Sequence, residues 1–269
     1  MTNITRFIHI FKNPILLASR SPRFYIPTRR LTCAAKGVSM DSTVAIVTGG
    51  TGALGRVICS AFVNTGVRVA IPLRHPGAPP AGIPGPMVFT AVAAIDTEEG
   101  ARAFVRALAG DWGEPGILVN AAGGYAGGEA IGEISAATFE EMISANLRTA
   151  FYMSGAVLPA MRARGSGRIV SIAAMAALAP QAKRGAYAIA KRGVVTLTET
   201  IAEEVKGTGI TANAIAPGII DTGANRASMP SADFTRWVTP EEIAAMILFL
   251  CSADARSVSG TVLRAYGGV

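Results

Sequence analysis

From residue 43 onward, short apolar runs alternate with amphipathic stretches, and the alternation predicts the architecture. TVAIVTGG (43–50) reads as a buried strand ending in a glycine turn. RVICSAFVNTG (56–66) follows as a helix closed by Gly66, and VRVAIPL (67–73) as the next strand. RHPGAPPAGIPGP (74–86) is a Pro/Gly-rich loop. In EEGARAFVRALAG (98–110), Ala101, Phe104, Val105 and Leu108 share one helical face, and Gly110 is expected to stop the helix. GILVNAAGG (116–124) and GRIVSIAA (167–174) are strands of continuous apolar character, as in a sheet covered on both faces. Long helices fit 137–163 and 185–206, and TANAIAPG (211–218) returns to strand. Thr239, Pro240 and Glu242 form a capping-box start for the helix EEIAAMILFLCS (241–252), and GTVLRAYGG (260–268) closes the pattern as a strand. This order predicts one α/β domain over 41–269, a doubly wound parallel sheet with helices on both faces. Neither an internal repeat nor a second domain is visible.

Composition changes this picture only at the N-terminus. Half of the 269 residues are apolar and 16% are charged, which indicates a globular protein. No apolar run reaches the roughly 18–20 residues that cross a bilayer, so no membrane insertion is expected. The net charge of +7 comes from residues 1–40, which hold seven Lys or Arg and no Asp or Glu; the rest carries 18 of each sign. A nucleic-acid-binding patch on the folded domain is therefore not indicated. The acid-free, Arg- and Ser/Thr-bearing start matches an organellar transit peptide, mitochondrial ahead of plastid. The other readings are a disordered extension, or an upstream start before Met40 that leaves a cytoplasmic protein. Cys33, Cys59 and Cys251 lack metal-ligand spacing and His9 and His75 stand far apart, so a metal site is not expected and the thiols read as free.

The chemistry begins with VTGGTGALG, Val47 to Gly55, at a strand–turn–helix junction. Glycine permits the tight turn and lets a pyrophosphate approach the helix amides, where the dipole favours anions. This is a Rossmann-type dinucleotide site, with Gly49, Thr51, Gly52, Leu54 and Gly55 as candidate cofactor contacts. Tyr187 and Lys191 are four apart, hence on one helical face, and a nearby ammonium is expected to lower the phenol's pKa toward its working range.

Here the chain resembles the short-chain dehydrogenase/reductase family over residues 42 to the end. Its Thr-Gly-x-x-x-(Gly/Ala)-x-Gly motif falls on Thr48, Gly49, Ala53 and Gly55. Asn120-Ala121-Ala122-Gly123, Asn146, Tyr187-x-x-x-Lys191, and Pro217-Gly218 with Thr222 follow in the family's order. The resemblance implies a catalytic set of Tyr187, Lys191 and Asn146, with Tyr187 donating the proton, Lys191 also binding the nicotinamide ribose and Asn146 holding a relay water. It also implies cofactor contacts from Asn120, Ala121, Gly123, Tyr187, Lys191, Pro217, Gly218, Ile220 and Thr222. NAD-selective members carry an acid after the second strand; Leu73 and Arg74 stand here, which favours NADP(H) with NAD(H) possible. The resemblance further implies a homo-oligomer, a dimer or a tetramer, built through the helices at 137–163 and 185–206.

One family residue is absent. The serine thirteen positions before the tyrosine, which helps hold a substrate carbonyl, is Ala174. Losing an oxyanion donor typically costs roughly 10²–10³ in rate, so an acceptor that needs little oxyanion stabilisation is expected. AGGYAGGEA (122–130) and DTGANRASMPSADFTRWVTP (221–240) resemble segments of the dihydropteridine reductase branch, which also carries alanine there. Two features depart from that branch, which has an acid after the second strand and lacks the helix asparagine. The resemblance implies a substrate surface that includes Ala174, Tyr125, Met229 and Trp237, with 221–240 as a water-excluding lid. Three functions follow: reduction of a conjugated heterocycle such as quinonoid dihydropteridine, a general carbonyl or 3-oxoacyl reductase with an atypical site, or a non-catalytic NADP(H)-binding subunit of an organellar complex.

Overall fold

The computed structural model describes residues 43–268; the basic segment 1–40, and with it the transit-peptide reading, lies outside them. The described chain runs β1 (Val44–Thr48), α1 (Ala53–Asn64), β2 (Arg68–Leu73), β3 (Val88–Val92), α2 (Glu98–Trp112), β4 (Pro115–Asn120), α3 (Ala136–Met142), a π-helical turn (Ile143–Arg148) and α4 (Thr149–Arg164). It continues through β5 (Gly167–Ile172), α5 (Met175–Leu178), α6 (Gly185–Glu204), β6 (Ile210–Pro217), α7 (Gly223–Ser228), α8 (Pro240–Cys251) and β7 (Val262–Ala265).

The strands form one parallel sheet in the order β3-β2-β1-β4-β5-β6-β7. Alternate side chains of β1 feed different layers, as the strand period requires. Ala45 and Val47 join Ile58, Phe62, Ile243 and Ile247 of α1 and α8, while Val44 and Ile46 join Phe104, Leu108, Met153, Val157 and Ile201 of α2, α4 and α6. Burying a side chain such as Phe62 or Phe104 stabilises the fold by roughly 2–3 kcal/mol. The chain leaves β1 in one direction for β2 and β3 and in the other for β4 to β7. The carboxyl ends of β1 and β4 therefore flank a topological switch point, where a crevice opens.

Three elements differ from the sequence expectation. Strand β3 has no clear sequence signal: it is a half-buried edge strand after a Pro/Gly loop, and its pairing to β2 supplies the order its pattern lacks. Helix α2 runs through Gly110 to Trp112, and Gly113, at φ 91°, ends it instead. The predicted helix 137–163 is interrupted by the π turn at 143–148. The capping box of α8 forms as expected, with Thr239 and Glu242 bonding reciprocally.

Candidate active site

Helix α1 starts at Gly52, which provides no side-chain cap, and its first turn carries no acid. The leading amides of this 12-residue helix are thus left for a ligand. A Cβ on Gly55 would collide with the Gly49 carbonyl, and Gly49 itself has φ +69° against the backbone of Ala122. Both glycines are therefore required by the turn. Beneath it, Thr48 Oγ1 accepts the amides of Ala121 and Ala122 at 3.0 Å each, fastening the loop after β4 to the end of β1. Thr51 and Gly52 are exposed on the turn and Leu54 packs on the core behind it. These features fit a dinucleotide pyrophosphate.

Asn120, expected to touch the cofactor, and Ser171 of β5 are both buried. The Asn120 amide donates to Ser154 Oγ at 3.2 Å and Ser171 Oγ at 3.3 Å, within the buried layer under the crevice. Leu73 is buried at the end of β2 and Arg74 is exposed just beyond it. Pro217 ends β6, the Gly218 amide donates to Ala265 O, Ile220 bridges to Val238, and Thr222 is spent capping α7.

The π turn positions Asn146. Its Nδ2 donates to the carbonyls of Gly124 (3.1 Å) and Met142 (3.0 Å), and its Oδ1 accepts from the Gly124 amide (3.3 Å). A buried amide so tied joins the α3–α4 helix to the loop after β4. Gly123 has to be glycine, since a Cβ there would lie 2.6 Å from Asn146 Oδ1 and 3.2 Å from Lys191 Nζ. That close approach brings Asn146 and Lys191 to one spot.

Lys191 is buried in α6 and donates from Nζ to Ile172 O at 2.8 Å. Burial pushes its pKa down to about 8. Tyr187, one turn earlier and half-buried, is pushed up to about 12, mainly by burial, then by the Tyr125 phenol, with the Arg184 guanidinium pulling the other way. Lys191, expected to lower the tyrosine, is not among the groups that shift it in this arrangement, in which the ammonium is bonded to a backbone carbonyl. The Tyr187 hydroxyl makes no hydrogen bond to a described residue. Ala174, buried at the end of β5, leads into α5.

On the other side, the exposed Tyr125 ring meets the Tyr187 ring edge-on, centroids 5.1 Å apart at 81°. Arg184 lies over the Tyr125 ring, 5.9 Å from its centroid. Gly127 leaves room for the Tyr125 hydroxyl, and Gly128 N donates to Lys183 O at 2.8 Å, joining this loop to the residues before α6. Arg184 carried no motif and was not foreseen; its place three residues before Tyr187 was the available signal.

The segment after β6 is tied at its base, where Val238 N donates to Ile219 O and Asp221 N to Val238 O. Arg226 binds both carboxylate oxygens of Asp221 and lies 4.8 Å over the Phe234 ring. Phe234 packs on Trp237 at 4.8 Å. Trp237 is only 5% exposed, so the expected substrate contact is corrected: its ring is covered by protein and anchors the flap. Met229 remains half-exposed on the flap. Among the described residues, no group of three His, Cys, Asp or Glu could hold a metal, and no helix is long and apolar enough to cross a membrane.

A sequence model described as short chain dehydrogenase matches residues 43–232. Nodulation protein G of Azospirillum brasilense is 32% identical over 244 residues, covering 86% of this chain and 99% of that protein. The 3-oxoacyl-[acyl-carrier-protein] reductase FabG of Vibrio harveyi is 28% identical, with 86% and 99% covered. A crystal structure of a short chain dehydrogenase from Bacillus anthracis superposes with a TM-score of 0.76 at 28% identity, covering 86% of this chain and 97% of that one.

Proposed function

The chain belongs to the short-chain dehydrogenase family, and from that premise we propose that it is an NADPH-preferring reductase of a conjugated, strongly electrophilic acceptor such as a quinonoid dihydropteridine. The observation that carries the reading is Ala174: a buried methyl group occupies the position where the resemblance implies a carbonyl-holding serine.

The dinucleotide, when bound, supplies the hydride and leaves oxidised. The chain's own residues do the rest. The open amides of α1 would hold the pyrophosphate, and Arg74 would pair with a 2′-phosphate, since neither Leu73 nor Arg74 is a carboxylate. Tyr187 Oη gives its proton to the acceptor, which gains two electrons and one proton with the hydride's hydrogen. Lys191 would exchange the Ile172 carbonyl for the ribose hydroxyls and the phenolate, and Asn146 would hold the water that returns a proton. A quinonoid acceptor spreads the developing charge over its ring, so a second hydroxyl adds little.

A second reading, a 3-oxoacyl reductase, is favoured by the likeness to FabG of Vibrio harveyi over 86% of the chain. Initial rates of NADPH and NADH oxidation with quinonoid dihydropterin and with a 3-oxoacyl thioester separate the two. The proposal expects the pterin to be preferred by about 10²-fold or more, the size of one missing donor; preference for the thioester replaces it with the second reading.

We further propose a homo-oligomer, supported by the groove of Leu147, Phe151, Tyr152 and Leu197 across α4 and α6 with Phe151 exposed. The acid-free composition of residues 1–40 supports mitochondrial import. Light scattering tests the first, and import into isolated mitochondria the second.

A further inference from the structure

We propose that the amino-terminal end of the sheet, opposite the crevice, carries a binding site for a small monovalent anion such as chloride, held by Arg168 of β5 and Thr211 of β6. The site is separate from the dinucleotide crevice, and the inference does not depend on which acceptor the enzyme reduces.

Arg168 and Thr211 are the second residues of their strands and are paired directly across the parallel register. Strand alternation puts both on the face that α8 covers. Val170 and Ile172 of β5 and Ile215 of β6 share that core layer with Leu250 and Cys251, while Ile169 and Ala212 belong to the opposite layer. Arg168 is 8% exposed and Thr211 4%. The guanidinium donates from Nη1 to the carbonyls of Gly167 (2.9 Å) and Gly209 (3.1 Å). Its Nε and the Thr211 Oγ1 are buried with no hydrogen bond to a described residue. Two positions further along β6, Asn213 is fully engaged, donating to Val258 O at 2.8 Å and accepting from the Thr261 amide at 3.2 Å. The same face thus satisfies one polar side chain completely and leaves an adjacent pair open.

Charge decides what belongs there. A buried cation without a counterion and a buried donor without an acceptor each destabilise a fold. None of the ion pairs among the described residues involves Arg168. Burial holds its pKa below the ordinary arginine value, and Cys251, the thiol it senses, is itself pushed up to about 12. At neutral pH that thiol is uncharged and supplies no counterion. The acids of α8, Glu241 and Glu242, stand in its first turn, at the other end of the helix from Cys251, and Asp254 beyond the helix is exposed. A water molecule can accept from Nε and bond to Oγ1, but it leaves the guanidinium uncompensated; an anion accepts from both and neutralises it. Neighbouring strands stand about 4.8 Å apart, so an acceptor that meets both donors is the size of one atom, a halide rather than a carboxylate or phosphate.

The test uses the full-length protein in two arms. In the first, Tm is followed as sodium chloride replaces sodium gluconate at constant ionic strength, so that screening is held fixed. Wild type is expected to gain about 2–5 °C, saturating with chloride, as for a ligand that binds only the folded state. Arg168→Met is expected to abolish this dependence and Thr211→Val, which keeps the side-chain shape, to weaken it. The dependence is read within each variant, so a change in basal Tm does not mask it. In the second arm, wild-type crystals are soaked in sodium bromide, and an anomalous peak is expected in contact with Arg168 Nε and Thr211 Oγ1. A wild-type Tm that does not respond to chloride, a response that survives in Arg168→Met, or a water without anomalous signal at that position overturns the proposal.

Discussion

Lys191 and Arg184 flank Tyr187, four residues after it and three before, and they are held in opposite ways. Lys191 is buried and its ammonium is fixed on the Ile172 carbonyl, deep beside Asn146 and Gly123. Arg184 is half-exposed and rests on an aromatic face with no carboxylate beside it. The first cation is bonded to the backbone of the fold, while the second depends on a side chain, Tyr125, of the loop after β4. The lysine side is thus the rigid one, bonded to the backbone, and the arginine side rests on a single aromatic side chain.

The sharpest way to break this comparison is to remove the residue between the two cations. Tyr187→Phe is expected to lower kcat by about 10²–10⁴-fold with cofactor binding retained, measured by cofactor oxidation and by titration with NADPH. Turnover near wild type in that variant removes the proton-donor role from both sides at once.

Lys191→Met probes the buried cation and separates activity from stability. Turnover is expected to fall by about 10²-fold or more, while the ligand-free protein becomes harder to unfold in urea at neutral pH. The reason is the depressed pKa. Below pH 8 the folded state carries a desolvated charge; between about 8 and 10.5 the folded lysine is neutral while the unfolded one still holds its proton. The unfolded state binds more protons there, so this residue's contribution to stability rises with pH, by up to about 1.4 kcal/mol per unit and about 3 kcal/mol in all. The buried thiols Cys59 and Cys251, both pushed up to about 12, act in the opposite direction above pH 9. The quantity to measure is therefore the wild-type minus Lys191→Met difference at pH 7.5 and 9.5, which is expected to favour the variant less at the higher pH.

Gly123→Ala tests the space the two buried groups share. A methyl group 2.6 Å from Asn146 Oδ1 has to displace the asparagine or the loop. Expected are a loss of roughly 10–100-fold in kcat and a Tm lowered by several degrees, as for an overpacked position. Wild-type kinetics in this variant would mean that the loop yields and that Asn146 is not held as described.

The rigid side was also the legible one. The glycine turn, Tyr187 and Lys191 announce themselves by spacing, because a helix repeat and a backbone approach leave fixed intervals in a sequence. Asn146 could be marked by resemblance, but the π turn that carries it could not: one extra residue in a helical turn has no compositional sign. Thr48 was read as part of the glycine motif, yet its bonds to Ala121 and Ala122 span more than 70 residues and exist only after β1 and β4 pair. Edge strand β3 escaped for a similar reason. On the other side, Trp237 read as substrate surface through the resemblance of 221–240, but it is buried and packs on its neighbour Phe234. Arg184 looked like one more loop charge until the loop at 125 folded against it.

Ala174→Ser carries the smallest expected change and tests the central claim most directly. The measurement is kcat/KM of wild type and variant for a 3-oxoacyl thioester and for quinonoid dihydropterin, side by side. A hydroxyl at position 174 is expected to raise the thioester reaction by about 10-fold or more and to leave the pterin reaction within about 3-fold. A variant that leaves the thioester reaction unchanged, or raises both alike, contradicts an acceptor that does not need the serine.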